Sequence, residues 1–177
     1  MEMIRYHVTD RRDVIASAAR SIRDGVEMIQ VREKDLSARD LFDLVCRIRD
    51  LAAGTKTLVL VNDRLDIALA ANVDGVHLPS NGLPAHRVRP YVRLLGVSTH
   101  TIQEALDAEK AHADFIVFGP VFDSPGKTAV GLEPLRKITA AVRIPVIAIG
   151  GMTSANAQEV LNSNAAGIAG IRLFQEH

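Results

Sequence analysis

The chain has 177 residues, 47% of them hydrophobic and 24% charged, with 21 Lys plus Arg balanced by 21 Asp plus Glu. That length suits a single domain, residues 1–177, with a substantial core, and a net charge of zero with 4% aromatics excludes the basic footprint that nucleic acid requires. No apolar run approaches the ~18 residues of a membrane span, so neither nucleic acid nor membrane is an expected partner.

The opening Met-Glu-Met-Ile-Arg-Tyr lacks the basic-then-apolar order of a signal peptide, and the lone Cys46 excludes an internal disulfide. A cytoplasmic location is expected. From the first residues onward, short β-rich apolar runs alternate with amphipathic stretches. In chain order the sequence predicts strand Ile4–Asp10, helix Val14–Arg23, strand Met28–Glu33, helix Ala38–Ala53, strand Thr57–Asp63 and helix Leu65–Ala71. Strand Gly75–Pro79, helix Ala85–Val92, strand Leu94–Thr99, helix Ile102–His112 and strand Phe115–Pro120 follow. Helix Leu135–Val142, strand Pro145–Gly151, helix Ala155–Asn162 and strand Gly167–Phe174 complete the series.

In the second helix Leu41, Val45, Ile48 and Ala52 share one face. Ser37, Asp63 and Thr101 each precede an acidic residue by three positions, a helix-start signal. Strict alternation implies parallel strands joined by crossovers. Eight strands favour a (β/α)8 TIM barrel over an open sheet, although such barrels typically take ~250 residues. Only Gln175, Glu176 and His177 follow the last strand. The eighth helix is therefore expected to be truncated or missing, and a second subunit to cover the barrel wall it leaves open, making a homo-oligomer.

The predicted strand ends concentrate polar residues and glycine, whereas the strand interiors are apolar. Active sites of parallel barrels lie at that end. In Ile29-Gln30-Val31-Arg32-Glu33-Lys34 the period of two puts Gln30, Arg32 and Lys34 on one side. Two cations and an amide facing a barrel interior need a counter-charge, which a diphosphate supplies. The alternative is pairing of Arg32 and Lys34 with Glu33, Asp35 or other acids near the rim. Asn62–Asp63 offers oxygen ligands suited to Mg²⁺, and Asp63 equally suits a helix N-cap. Gly150–Gly151 runs from a strand into a helix, where backbone N–H groups can approach an anion. Ser124 and Lys127 lie in a loop able to close over a phosphate; a solvated turn is the alternative. His77 is read as either a hydrogen-bonded core histidine or a site residue. Thr99 and His100 are expected to help start the next helix, and Cys46 to lie in the core.

Taken in order, Tyr6-His7-Val8-Thr9-Asp10, Ile29 to Leu36, Val61-Asn62-Asp63-Arg64, Asp74 to Leu78, Gly96 to His100, Phe118 to Phe122, Lys127 and Pro145 to Gly151 resemble the thiamine phosphate synthase and thiazole tautomerase superfamily along nearly the whole chain. The resemblance implies a (β/α)8 barrel that joins hydroxymethylpyrimidine diphosphate to hydroxyethylthiazole phosphate and releases diphosphate. It implies that Gln30, Arg32, Lys34 and Asn62 hold the pyrimidine diphosphate with Asp63 on Mg²⁺, and that Ser98 and Lys127 meet the departing diphosphate. Ser124, Gly151, Ile171 and Arg172 would cradle the thiazole phosphate. Arg32, Lys34, Ser98 and Lys127 would thus carry the catalysis. Some positions depart from the pattern: Gly82 stands where synthases usually carry a second metal-binding aspartate, Ser124-Pro125-Gly126 where a Thr-x-Thr pair is common, and Arg172 where a small polar residue is usual. Leu78-Pro79-Ser80 looks more like the tautomerase branch, yet Pro120 stands where that branch has its proton-transferring histidine. A thiazole-tautomerase-like enzyme and a non-catalytic phosphate-ligand binder remain the alternatives.

Overall fold

In the computed structural model, which describes residues 3–174, the eight apolar runs pair in parallel and in chain order, and the last closes on the first. The strands are β1 Ile4–Val8, β2 Met28–Val31, β3 Leu58–Asn62, β4 Gly75–Leu78, β5 Leu94–Thr99, β6 Phe115–Phe118, β7 Val146–Ile149 and β8 Gly167–Gly170. Between them lie α1 Val14–Arg23, α2 Ala38–Ala52, α3 Leu65–Ala71, α4 Ala85–Val88, α5 Ile102–Lys110, α6 Leu132–Ala141 and α7 Ala157–Leu161. The expected short (β/α)8 barrel is the observed fold. The readings about the start of the chain and its absent last helix rest partly on Met1–Glu2 and Gln175–His177, which lie outside the described residues.

Strand alternation sorts the side chains into two layers. Tyr6, Met28, Leu60, Phe115, Val117, Ile147 and Ala169 fill the barrel interior. The intervening residues, such as Ile29, Val31, Val59 and Val61, face outward and pack with the helices. Helix α2 presents Leu41, Val45, Ile48 and Ala52 to that layer, as its periodicity predicts. Each such burial contributes roughly 1.5–3 kcal/mol for the larger side chains. Cys46 packs against the same cluster, only partly buried.

Several boundaries differ from expectation, each for a local reason. Strand β2 stops at Val31 because the Arg32 N–H is taken by the Thr9 hydroxyl at 3.0 Å rather than by a ladder carbonyl. Strand β8 stops at Gly170 and gives way to a 3-10 turn, Arg172–Phe174. Helix α4 tightens into a 3-10 turn over Arg89–Tyr91, since Pro90 has no N–H for an α-helical bond. Helix α6 starts three residues early, at Leu132, because Pro134 in a first turn loses no intrahelical bond. Helix α7 begins only at Ala157; the Asn156 side chain turns back to bond Gly151 O at 2.9 Å and the Thr153 N–H at 2.9 Å.

Helix starts also split. Ser37 accepts from the Asp40 N–H at 3.1 Å and Thr101 from the Glu104 N–H at 3.1 Å, as read from sequence. Asp63 does not cap α3: it adopts φ +60°, and Arg64 holds the cap position. His100 assists α5, its N–H donating to Glu104 at 2.6 Å, but the buried Thr99 hydroxyl has no hydrogen-bond partner among the described residues.

On the outer wall a groove of about 340 Å³ runs past Met3, Val26, Ala157, Ile168, Leu173 and Phe174, over β8 and the start of β1. A wider depression of about 680 Å³ lies beside Glu109, Asp114 and Arg143, near the starts of β6 and β7. Among the described residues no helix is long and apolar enough to cross a membrane.

Candidate active site

The polar layer of the barrel is built from the C-terminal halves of β1 to β5. Gln30 is buried, as the period of two requires, and its amide nitrogen donates to the Tyr6 hydroxyl at 3.0 Å. The Tyr6 oxygen lies 3.1 Å from His77 Nδ1, and His77 Nε2 lies 2.8 Å from Ser98 Oγ. Gln30, Tyr6, His77 and Ser98 therefore form one chain of hydrogen bonds across the barrel, spanning β2, β1, β4 and β5. Below it is an aromatic floor. Phe115 meets Tyr6 edge-on with centroids 5.6 Å apart and lies 6.0 Å from the His77 ring. Gly96 makes room for that ring, since a Cβ there would come within 2.3 Å of Phe115.

The environment keeps this chain neutral. Burial lowers the His77 pKa to about 3, and the nearby Arg32 charge disfavours the imidazolium further. Burial raises the Tyr6 phenol well above its ordinary value, partly offset by the Gln30 bond. His77 is thus a buried residue with both ring nitrogens engaged, and it also reaches the site through Ser98.

Arg32 lies just past the end of β2, partly exposed, and makes no salt bridge among the described residues. The acids the sequence offered as its partners are committed elsewhere. Glu33 is buried, accepting from the Thr9 hydroxyl at 2.7 Å and the Arg11 N–H at 3.0 Å, and Asp35 pairs with the Arg11 guanidinium. Lys34 does not continue the strand alternation; it stands exposed in a turn, likewise without a salt bridge among the described residues. Asn62 ends β3 directly opposite His77. Asp63 is exposed and its carboxylate faces Gly82, whose hypothetical Cβ would lie 2.9 Å from Asp63 Oδ1. No group of three or more His, Cys, Asp or Glu able to hold a metal occurs among the described residues.

On the other side of the barrel the loops after β6 and β7 pack together. Gly150 and Gly151 have φ +101° and +61°, and a Cβ on either would lie 2.5 Å from Pro120 or Asp123 backbone atoms. The same loop carries Ser124 and Lys127, which exchange two backbone hydrogen bonds, 3.2 and 2.9 Å, around Pro125-Gly126. The segment, read from sequence as either a phosphate-covering loop or a solvated turn, is a hairpin-like turn, anchored by the Asp123 carboxylate on the Ala129 N–H at 2.8 Å. Ile171 and the exposed Arg172 follow β8.

The sequence model of the family described as thiamine monophosphate synthase matches residues 5–174. The chain belongs to that family. Thiamine-phosphate synthases from Caldanaerobacter subterraneus and Clostridium acetobutylicum are 39% and 37% identical to it, with 94% and 93% of this chain covering 83% of either relative. A solved thiamine phosphate pyrophosphorylase from Pyrococcus furiosus superposes with a TM-score of 0.89 at 37% identity, over 96% of this chain and 85% of that one. In this thiamine monophosphate synthase family member the strand ends singled out from the sequence are polar, with Gln30, Asn62, His77 and Ser98 on β2 to β5. The chain also has Tyr6, which sequence reasoning passed over. The signal was present: Tyr6 is the polar residue at an inward position of β1, one strand from Gln30.

Proposed function

We infer that the protein is a thiamine-phosphate synthase, a transferase that couples hydroxymethylpyrimidine diphosphate to hydroxyethylthiazole phosphate and releases diphosphate. Family membership supports the activity. The observation that carries the reading of the site is Arg32 without an acidic partner among the described residues, next to acids that are already satisfied. A cation left uncompensated at a barrel mouth suits an anionic guest.

In this reaction the C–O bond between the pyrimidine methylene and the diphosphate breaks, and its electron pair leaves with the diphosphate. The thiazole nitrogen then donates its pair to the methylene cation. No side chain need move a proton in that exchange; the protein must hold charge and align two rings. Arg32 meets phosphate oxygens through its planar fork, and Lys34 and Lys127 as point charges. The Ser98 hydroxyl donates to the same group. Gln30, with its nitrogen spent on Tyr6, has a carbonyl oxygen left to accept from the pyrimidine, alongside Asn62. Ser124, Gly150, Gly151, Ile171 and Arg172 take the thiazole phosphate. His77 reaches the bound substrate through Ser98, whose oxygen lies 2.8 Å from its Nε2. The apolar floor under these groups keeps water from the cation.

Mg²⁺ fits this donor set in a limited way. It usually takes one or two carboxylates and completes its shell with water and substrate phosphate. Asp63 is an exposed carboxylate that accepts no hydrogen bond among the described residues, and Gly82 beside it adds no carboxylate. Asp63 would hold the ion, which when bound would neutralise part of the leaving group's charge.

Incubating the purified protein with both phosphorylated substrates and Mg²⁺ should yield thiamine phosphate and diphosphate, followed by chromatography. Binding of both substrates without product would overturn the reading and leave a phosphate-ligand binder.

A further inference from the structure

We propose that Tyr6 is a positioning residue: acting through His77, it turns the Ser98 hydroxyl hydrogen away from the protein and toward an acceptor oxygen of the bound diphosphate. This rests on the synthase reading above and deepens it.

The direction of the chain follows from which atoms carry hydrogen. An amide nitrogen can only donate, so Gln30 Nε2, 3.0 Å away, gives a hydrogen to the Tyr6 oxygen. Tyr6 has one hydrogen of its own, and His77 Nδ1 at 3.1 Å is the acceptor it meets. Nδ1 therefore accepts. In a neutral imidazole the ring hydrogen then sits on Nε2. Nε2, 2.8 Å from Ser98 Oγ, donates to that oxygen. The serine hydrogen cannot point back along the same line, so it points to a different acceptor. Among the described residues Ser98 Oγ has no other hydrogen-bond partner.

The same logic excludes a more familiar use of these residues. Ser98, His77 and Tyr6 have the spacing of a nucleophile, a base and an orienting group. A base must present a bare nitrogen to the hydroxyl, and Nε2 already carries the hydrogen. Tyr6 and His77 thus make Ser98 a donor rather than a nucleophile. The four residues sit on β1, β2, β4 and β5 of a closed ring, with the Tyr6–His77 bond crossing the interior, and Tyr6 is pinned edge-on by Phe115. The donor is preorganised, which is where such groups contribute most to a reaction that builds charge on a leaving group.

A double-mutant cycle on the full chain tests this, with steady-state kinetics on both substrates. Tyr6→Phe keeps the ring and its packing but removes the hydroxyl. It should lower kcat roughly 10- to 100-fold, the size of one hydrogen bond to a charged group, while leaving KM for the thiazole phosphate within about twofold. In a Ser98→Ala background the same substitution should change kcat by no more than about twofold, because the relay then has no end to act on. Equal losses in both backgrounds, or full kcat in a folded Tyr6→Phe protein, would refute the proposal. The ¹⁵N NMR spectrum of His77 in the wild type gives a test that needs no variant and no turnover: an Nε2–H tautomer is expected, and an Nδ1–H tautomer would overturn it. A wild type that makes no thiamine phosphate yet shows the Nε2–H tautomer would count against the synthase reading and not against the relay.

Discussion

Replacing Arg32 by Ala removes a guanidinium that has no salt-bridge partner among the described residues to leave stranded, so its effect should fall on ligand binding and not on folding. The expected loss is about 1.5–3 kcal/mol of affinity for the pyrimidine diphosphate, measured by calorimetric titration, with an unchanged unfolding midpoint. An unchanged affinity would make Arg32 a bystander at the rim. Gly82 is the second residue with a distinct prediction. Its Cβ would meet Asp63 Oδ1 and Pro79 Cδ, each at 2.9 Å, so Gly82→Asp brings a second carboxylate beside the first once the short turn yields. Lower half-saturating Mg²⁺ in the synthase assay is expected; an unchanged Mg²⁺ requirement would remove Asp63 and its neighbour from metal binding. Both residues were legible in sequence as chemistry. Their surroundings were not, because the partners of Glu33 and Asp35 come from Thr9 and Arg11 in the loop after β1, more than twenty positions away.

At the scale of elements, α2 is the test of local logic. Ser37 accepts from the Asp40 N–H and donates to its carboxylate at 2.6 Å, satisfying one of the four orphan donors at the helix start. Ser37→Ala should cost about 1 kcal/mol of stability in urea unfolding and leave catalysis untouched; a neutral result would mean that burial of Leu41, Val45 and Ile48 alone holds the helix. Existence and order of the elements were readable from periodicity. Boundaries were readable only where a local side chain sets them, as at Ser37 and Thr101. Asp63 has the same spacing signal, but its left-handed backbone carries it off the cap, a consequence of the turn out of β3.

For the whole molecule, two histidines bury neutral and stay so. His77 has its pKa lowered to about 3 and His7, packed between Ser21 and Phe174, to about 4, chiefly by burial, with the Arg20 charge adding to the second. Both folded values lie below the ordinary 6.5, so between them the unfolded chain binds more protons. Stability is therefore fully present above pH ~6.5 and declines as pH falls toward the folded values, by at most about 1.4 kcal/mol per histidine per pH unit. Urea midpoints should drop between pH 6.5 and 5, a window above most carboxylate titrations, and His7→Gln should flatten the slope. A flat profile in the wild type would mean that these rings gain protons in the fold as readily as outside it.

The sequence by itself determined the barrel: period-two runs of β-branched residues alternating with amphipathic stretches leave a parallel closed sheet as the arrangement that buries every apolar face. It also determined that strand ends would be polar, since residues such as Gln30, Asn62 and Ser98 interrupt otherwise apolar strands at one end. The tertiary structure alone decided how those ends work together. Tyr6, Gln30, His77 and Ser98 are separated by up to 71 residues between bonded neighbours, and only closure of the ring brings them within hydrogen-bond reach. Direction in that chain depends on which atom is left to accept, a property of the assembled site that no single position in the sequence carries.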